Sequence, residues 1–428
     1  EVFGYGLVNL ERATKPGSKI YYYNGSDIVS GSGDAYWRAA STTAFSPSAA
    51  IGIRSGSISA SYYDVLESAE GELYMPRVFE NEFALNAGGR RGLYLGDVLG
   101  EFETQKAEGI GQKAGGVSFD MKFSESNRTG DNLNGLQNMS FGFATGDYSV
   151  GAKFQRHLSD FDDKVALVRG DRDNPILSLA SNAISSSAAL KSGNWSFGGR
   201  AFSGAITDET LLENDPSLTA QYMPANLGQA SGAESRVGWS NEKLSFGVNI
   251  GTMKETATVL GAYTDGLLAL GGGDTIYLDN VVGFAATPDV RFMARATFAK
   301  TRANPGGEFV LGLSELESDA FSAGAEIGNF SFTAAMPLAV SKGVMQYAGA
   351  DYSVMENEDG NYDLVADTYA GNLNLAPEKR ETRFSAMYRF GIDENTNAAV
   401  GVIYRLHPNH TDDFGSEGIL MMKLKHSW

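Results

Sequence analysis

The chain of 428 residues contains no cysteine. That excludes a disulfide scaffold, a thiolate nucleophile, a Cys-ligated zinc site and an iron–sulfur cluster together. It also lacks any run of ~18 apolar residues, the length a helix needs to cross a bilayer, so a helical membrane protein is excluded. Positive charge is scarce: 34 Lys and Arg stand against 52 Asp and Glu, for a formal net charge of -18. Such a chain is a poor ligand for phosphate backbones, and nucleic-acid binding drops out. Proline is rare, at 11 residues, whereas glycine reaches 52.

What the chain does have is alternation. Beyond Gly116 it settles into segments of strict apolar/polar alternation, each of the ~9–11 residues that a tilted strand needs to cross the hydrocarbon layer. Lys243 to Gly251 is the clearest, with Leu244, Phe246, Val248 and Ile250 on one face and Ser245, Gly247, Asn249 and Gly251 on the other. The same pattern recurs at Met139/Phe141/Phe143, Phe292/Ala294/Ala296/Phe298, Phe330/Phe332/Ala334/Met336 and Phe384/Ala386/Tyr388/Phe390. A soluble β-sandwich alternates too.

Three further features point to an outer-membrane barrel. Short turns, at Gly146-Asp147, Gly193-Asn194, Glu242-Lys243, Pro288-Asp289, Gly328-Asn329 and Asp393-Glu394, alternate with long polar connections such as 160–175, 208–232 and 340–381. That asymmetry is the short-turn and long-loop pattern of the two rims of such a barrel. Next, Lys153, Arg200, Arg236, Arg291, Arg295, Arg383, Arg389 and Arg405 share parity with the small polar residues, which in a barrel places them in the lumen. Last, Leu420, Met422, Leu424, His426 and Trp428 alternate with Met421, Lys423, Lys425 and Ser427. This resembles the C-terminal signal read by the barrel-assembly machinery, although that signal prefers Tyr where His426 stands. The turns and their flanking runs give about fourteen strands, an even number as in single-chain bacterial barrels.

The first part of the chain differs. From 17 to 92 it is Gly/Ser-rich with short β-prone pieces, the composition of a β linker module. From 93 to 115, Leu95, Val98, Leu99 and Phe102 fall at helical spacing while Asp97, Glu101, Glu103 and Glu108 make the other positions acidic. An acidic helix lying along a basic lumen would neutralise it. We expect those acids to face the lumen arginines.

Residues 1–16 include Gly4-Tyr5-Gly6-Leu7-Val8-Asn9-Leu10 and Ala13-Thr14. These words resemble the closing segment of the subtilisin-like protease domain of proteases exported as autotransporters. The resemblance implies an order of protease tail (1–16), linker (17–92), helical plug (93–115) and membrane barrel (116–428). Glu1, preceded by neither Met nor an apolar leader, fits a piece of a longer precursor. No Gly-Thr-Ser occurs, and none of His157, His407, His410 and His426 is followed by glycine, so the family's catalytic words are missing and no catalytic residue is assigned.

The expected fold is therefore all-β: a transmembrane antiparallel barrel of 12 to 14 strands, with twelve implied by the family, behind a β-rich linker and a lumen helix. The expected work is mechanical, anchoring and exporting the protease, with no enzyme activity, cofactor or metal. Expected partners are outer-membrane lipid and lipopolysaccharide, the barrel-assembly machinery, the cleaved passenger and a larger envelope complex, in the outer membrane of a Gram-negative bacterium. The alternatives are a porin or other channel, an outer-membrane barrel hydrolase, in which His407, His410, Asp412 and Asp413 would serve, and a soluble secreted β-sandwich protein.

Overall fold

The structure is a computed structural model. It describes residues 19–23, 26–32, 56–67, 73–85, 109–114, 116–123, 136–158, 171, 173–207, 226–263, 269–356, 362–392, 396–410 and 415–426. Residues 1–16 and the acidic stretch containing Asp97, Glu101, Glu103 and Glu108 lie outside the described residues.

The linker region forms a four-stranded sheet of β1 (Lys19–Tyr23), β2 (Ile28–Ser32), β3 (Gly56–Glu67) and β4 (Leu73–Leu85), in the order β2-β1-β3-β4. The main sheet then begins with β5 (Gly109–Ala114), β6 (Val117–Phe123), β7 (Leu136–Thr145), β8 (Tyr148–His157), β9 (Ser181–Ser192), β10 (Trp195–Thr207), β11 (Asn226–Ser240) and β12 (Leu244–Glu255). A small hairpin of β13 (Thr258–Val259) and β14 (Ala262–Tyr263) interrupts it before β15 (Leu270–Thr287) and β16 (Val290–Pro305). After β17 (Val310–Leu313) come β18 (Leu316–Ile327) and β19 (Phe330–Lys342). A long hairpin of β20 (Val344–Glu356) and β21 (Tyr362–Asn374) precedes β22 (Thr382–Gly391), β23 (Thr396–Leu406) and β24 (Ser416–His426).

Every pairing in the main sheet is antiparallel and between sequential sheet strands, a fifteen-strand meander from β5 to β24. Fourteen of these strands lie within 116–428; the fifteenth, Gly109–Ala114, takes residues that the helical reading of 93–115 had included. The total exceeds the twelve strands implied by the family resemblance. Two connections read as loops carry further strand: β11 starts at Asn226, and 340–381 holds most of a three-stranded sheet ordered β17-β20-β21.

Burial along the main sheet is inverted relative to a soluble protein. Apolar side chains stand exposed on one face, including Phe141, Ile184, Ile250, Ile276, Phe292, Phe332 and Val402. Charged and polar ones are buried on the other: Glu234, Asn249, Asp279, Arg295, Thr297, Arg383 and Arg405. A sandwich would bury the aromatics between sheets, so that alternative is overturned. A single sheet can hide its polar side only by wrapping around it, which is the arrangement of a barrel whose outer solvent is lipid.

The short turns sit on one rim. The opposite rim carries the connections 124–135, 158–180, 208–225, 256–269, 306–315, 343–381 and 407–415. On that long-loop rim a hydrophobic cluster is buried, joining Leu158, Ile176 and Leu177 to Phe202, Tyr277 and Phe309.

Candidate functional site

The interior is organised in rows that run across strands, because side chains at paired positions share a face and lie close together. In one row Arg200 on β10, Glu234 on β11, Gly251 on β12 and Tyr277 on β15 are successive register partners. Arg200 donates to Glu234 Oε1 at 2.5 Å, and the Tyr277 hydroxyl donates to Glu234 Oε2 at 3.1 Å. Tyr277 reaches a carboxylate two strands away because Gly251, lying between them, has no side chain; a Cβ there would run into the tyrosine ring.

The adjacent row joins Asn249, Asp279 and Thr297. Asp279 accepts four hydrogen bonds: from Arg295 Nε at 2.7 Å and Nη2 at 2.6 Å, Thr297 Oγ1 at 2.8 Å, and Asn249 Nδ2 at 2.9 Å. A buried carboxylate tolerates removal from water only with such full coordination.

A second network ties a loop to the wall. Between β8 and β9 the described residues 171 and 173–180 lie on the inner side of the wall. The Asn174 side chain accepts the Ile176 N–H at 3.0 Å, and the Leu158 N–H is received by the Ala180 carbonyl at 3.0 Å. Asp171 meets Arg383 of β22 at 2.9 Å. Arg383 also holds Glu381 at 2.9 Å, and Arg405 grips both oxygens of Glu381 at 2.8 Å while its third nitrogen reaches Glu417 at 2.8 Å. Two cations thus share three carboxylates. Burial pushes the Asp171 carboxyl up to about 6, against the pull of Arg383. Burial also pushes His410 down to about 4; as a neutral imidazole its Nδ1 accepts the Glu381 N–H at 3.1 Å.

The basic residues expected in the lumen divide accordingly. Arg200, Arg295, Arg383 and Arg405 sit in these networks, and Arg389 faces Glu326 at 3.7 Å. Arg236 lies over the glycine gap at Gly238 and Gly247. Lys153 and Arg291 share the inward parity but are exposed. The acids that meet the arginines, Glu234, Asp279, Glu326 and Glu381, come from the wall and its loops, and the sequence pattern did not single them out. Only Glu234 is the register partner of the arginine it meets. Asp279 is paired with Thr297 and reaches Arg295 diagonally, Glu326 is paired with Arg291 and not Arg389, and Glu381 precedes β22, so these meetings become readable only once pairing and loop placement are known.

At the chain's end, Leu420, Met422 and Leu424 point outward and are exposed, and His426 closes β24, while Trp428 lies outside the described residues. His407 precedes a short 3-10 turn, Pro408–His410, and His410 ends it, each with positive φ, whereas Asp412 and Asp413 lie outside the described residues.

No model of a protein family matches the chain, and no curated protein matches it at the sequence level. Among solved structures it is similar to an anion-selective porin from Comamonas acidovorans, with 11% identity, 88% of this chain and 100% of that one covered, and a TM-score of 0.41. It is also similar to OmpT of Vibrio cholerae (10% identity, 87% and 96% covered, TM-score 0.39) and to a porin mutant of Rh. blastica (10% identity, 96% of each covered, TM-score 0.30). The fold class itself stands on this chain's own meander and inverted burial: an outer-membrane β-barrel protein.

Proposed function

We propose that this chain is the membrane-embedded translocator of an autotransporter, which anchors in the outer membrane of a Gram-negative bacterium and exports a subtilisin-like protease encoded upstream. The chain itself then has no enzymatic role. The observation that carries this reading is the seat of the linker. The β1–β4 sheet follows the protease-like words of residues 1–16 and contacts β20 and β21, on the long-loop rim. Long loops face the cell exterior in this class of barrel, so a passenger attached there would stand outside the cell. The buried apolar cluster at that rim and the paired lumen charges also suit a barrel that is sealed once export is over.

A second reading, a diffusion channel, is favoured by the inward segment around Asp171, which sets acid against wall arginine as a charged constriction would. Producing the full precursor in cells and probing them with added protease separates the two. Passenger reaching the surface only when 116–428 is present supports the translocator. Passenger retained inside the cell, together with rapid solute entry into vesicles holding this chain, would replace it with the channel.

A further inference from the structure

The outer face of the main sheet changes character toward the long-loop rim. Below lie exposed Ile250, Leu278 and Phe298. The next row pairs Ile276, Lys300, Glu317 and Lys342 across β15, β16, β18 and β19. The row above pairs Lys254, Asp274 and Arg302 across β12, β15 and β16. All of these charged groups except the half-buried Glu317 are exposed, and they point the way Ile276 and Phe298 do.

Glu315 and Glu317 lie 3.3 and 3.4 Å from the Lys300 ammonium, and Glu315 lies 3.7 Å from Arg302. These acids space the cations without covering them: the side chains of Lys300 and Arg302 remain 62% and 85% exposed. Along the same boundary the Arg380 guanidinium sits 5.5 Å from the centre of the Phe321 ring. Five cations, Arg380 among them, and the carboxylates of Asp274, Glu315 and Glu317 thus border an apolar wall on its lipid side, which is where a lipid headgroup would lie and a soluble anion would not.

We infer that Lys254, Lys300, Arg302 and Lys342 form a binding belt for the phosphates of an acylated, phosphorylated glycolipid of the outer leaflet, the lipid A part of lipopolysaccharide. Its acyl chains would lie on Ile250, Leu278 and Phe298. Arg302 offers a planar pair of donors matched to phosphate oxygens, and the lysines add point charges. The inference rests on the membrane reading of the long-loop rim and not on what the barrel exports.

The test uses the full chain reconstituted into phosphatidylcholine vesicles with and without diphosphoryl lipid A, with retained lipid A counted per protein by native mass spectrometry. Replacing Lys300→Gln together with Arg302→Gln should weaken retention about tenfold or more, the loss of ~1.4 kcal/mol of charge-assisted contact. Lys191→Gln with Lys243→Gln, on the short-turn rim, should leave it unchanged. Glu315→Gln should tighten retention in EDTA, since it removes a competing acid. Excess inorganic phosphate should not displace the lipid. Retention equal to that of the unaltered chain in the Lys300/Arg302 variant, or displacement by inorganic phosphate, overturns the belt. Failure to enter any vesicle overturns the membrane reading and the belt with it. Normal entry with lipid A ignored removes the belt alone.

Discussion

Arg295 and Asp279 illustrate how one residue pair can be both expensive and indispensable. Bringing two charges out of water costs several kcal/mol per ion, and their attraction roughly returns it when every lone pair is occupied, as it nearly is here. Removing one partner leaves the other uncompensated. Arg295→Ala should therefore destabilise the folded barrel by ~3–5 kcal/mol, whereas an apolar replacement of both residues should cost far less. Urea unfolding in lipid vesicles reads the difference, and equal losses for single and double variants would contradict it. The pair around Glu381 adds a pH signature. Asp171 has a folded pKa of about 6, above its ordinary 3.8, so the folded state binds its proton more tightly. The penalty for burying its charge is present above pH 6 and is relieved as pH falls toward 4. His410 works in the opposite sense: with a folded value near 4 against 6.5, its contribution is present above pH 6.5 and is lost as pH falls toward 4. In the unaltered chain the two slopes oppose each other across that window. Asp171→Asn should leave only the loss, so stability drops by roughly 2–3 kcal/mol between pH 7 and 4, and His410→Asn should leave only the gain. Parallel slopes in the two variants would refute the assignment.

At the scale of elements, the hairpin of β20 and β21 is built with the same device as the lumen row. Tyr347 lies over its register partner Gly371, and Tyr369 over Gly349, each ring filling the space a Cβ would take. Because β19 pairs directly with β22, the hairpin is an addition to the main sheet and not a member of it. Joining Met345 to Leu373 through Asn-Gly, a two-residue turn that suits opposed strand ends, should leave the barrel assembled and detach the linker sheet. Limited proteolysis would then cut within 19–85 much faster, while 116–428 resists as before. Unchanged linker protection would show that β20 and β21 do not hold it. The hairpin was not legible in the sequence: its alternation is diluted by Gly349, Ala350 and Asp351, and acidic residues on both sides made the stretch look like loop. Strands such as Leu244–Glu255 were legible because lipid and lumen demand opposite chemistry at successive residues. Which acid meets which arginine was not legible, since Asp171 and Arg383 are 212 residues apart and nothing local encodes their meeting.

For the molecule as a whole, the outer surface is zoned by depth. Beside the short turns sits an aromatic cluster in which Trp195 and Trp239 each lie 5.8 Å from Phe246, with Phe284 and Phe292 6.3 Å apart on the next strands and Tyr388 and Phe390 5.7 Å apart further round. Amphipathic rings gather at the boundary between hydrocarbon and headgroup, so this rim marks one membrane interface and the Lys254–Lys342 belt marks the other. Along β12 the Phe246 ring and the belt's Lys254 are eight residues apart, roughly 27 Å of strand at ~3.4 Å per residue. For a tilted strand that length is on the order of the apolar band of ~25 Å found on outer-membrane barrels. Tryptophan quenching by brominated lipid tests the zoning directly. Bromines placed high on the acyl chain should quench Trp195 and Trp239 more strongly than bromines near the chain end, the signal being isolated by difference against Trp195→Phe with Trp239→Phe. Stronger quenching from the chain end would place those rings near the bilayer midplane. The short-turn rim could not then be an interface, and the span assigned to the apolar band would have to shift along every strand together, since one register fixes them all.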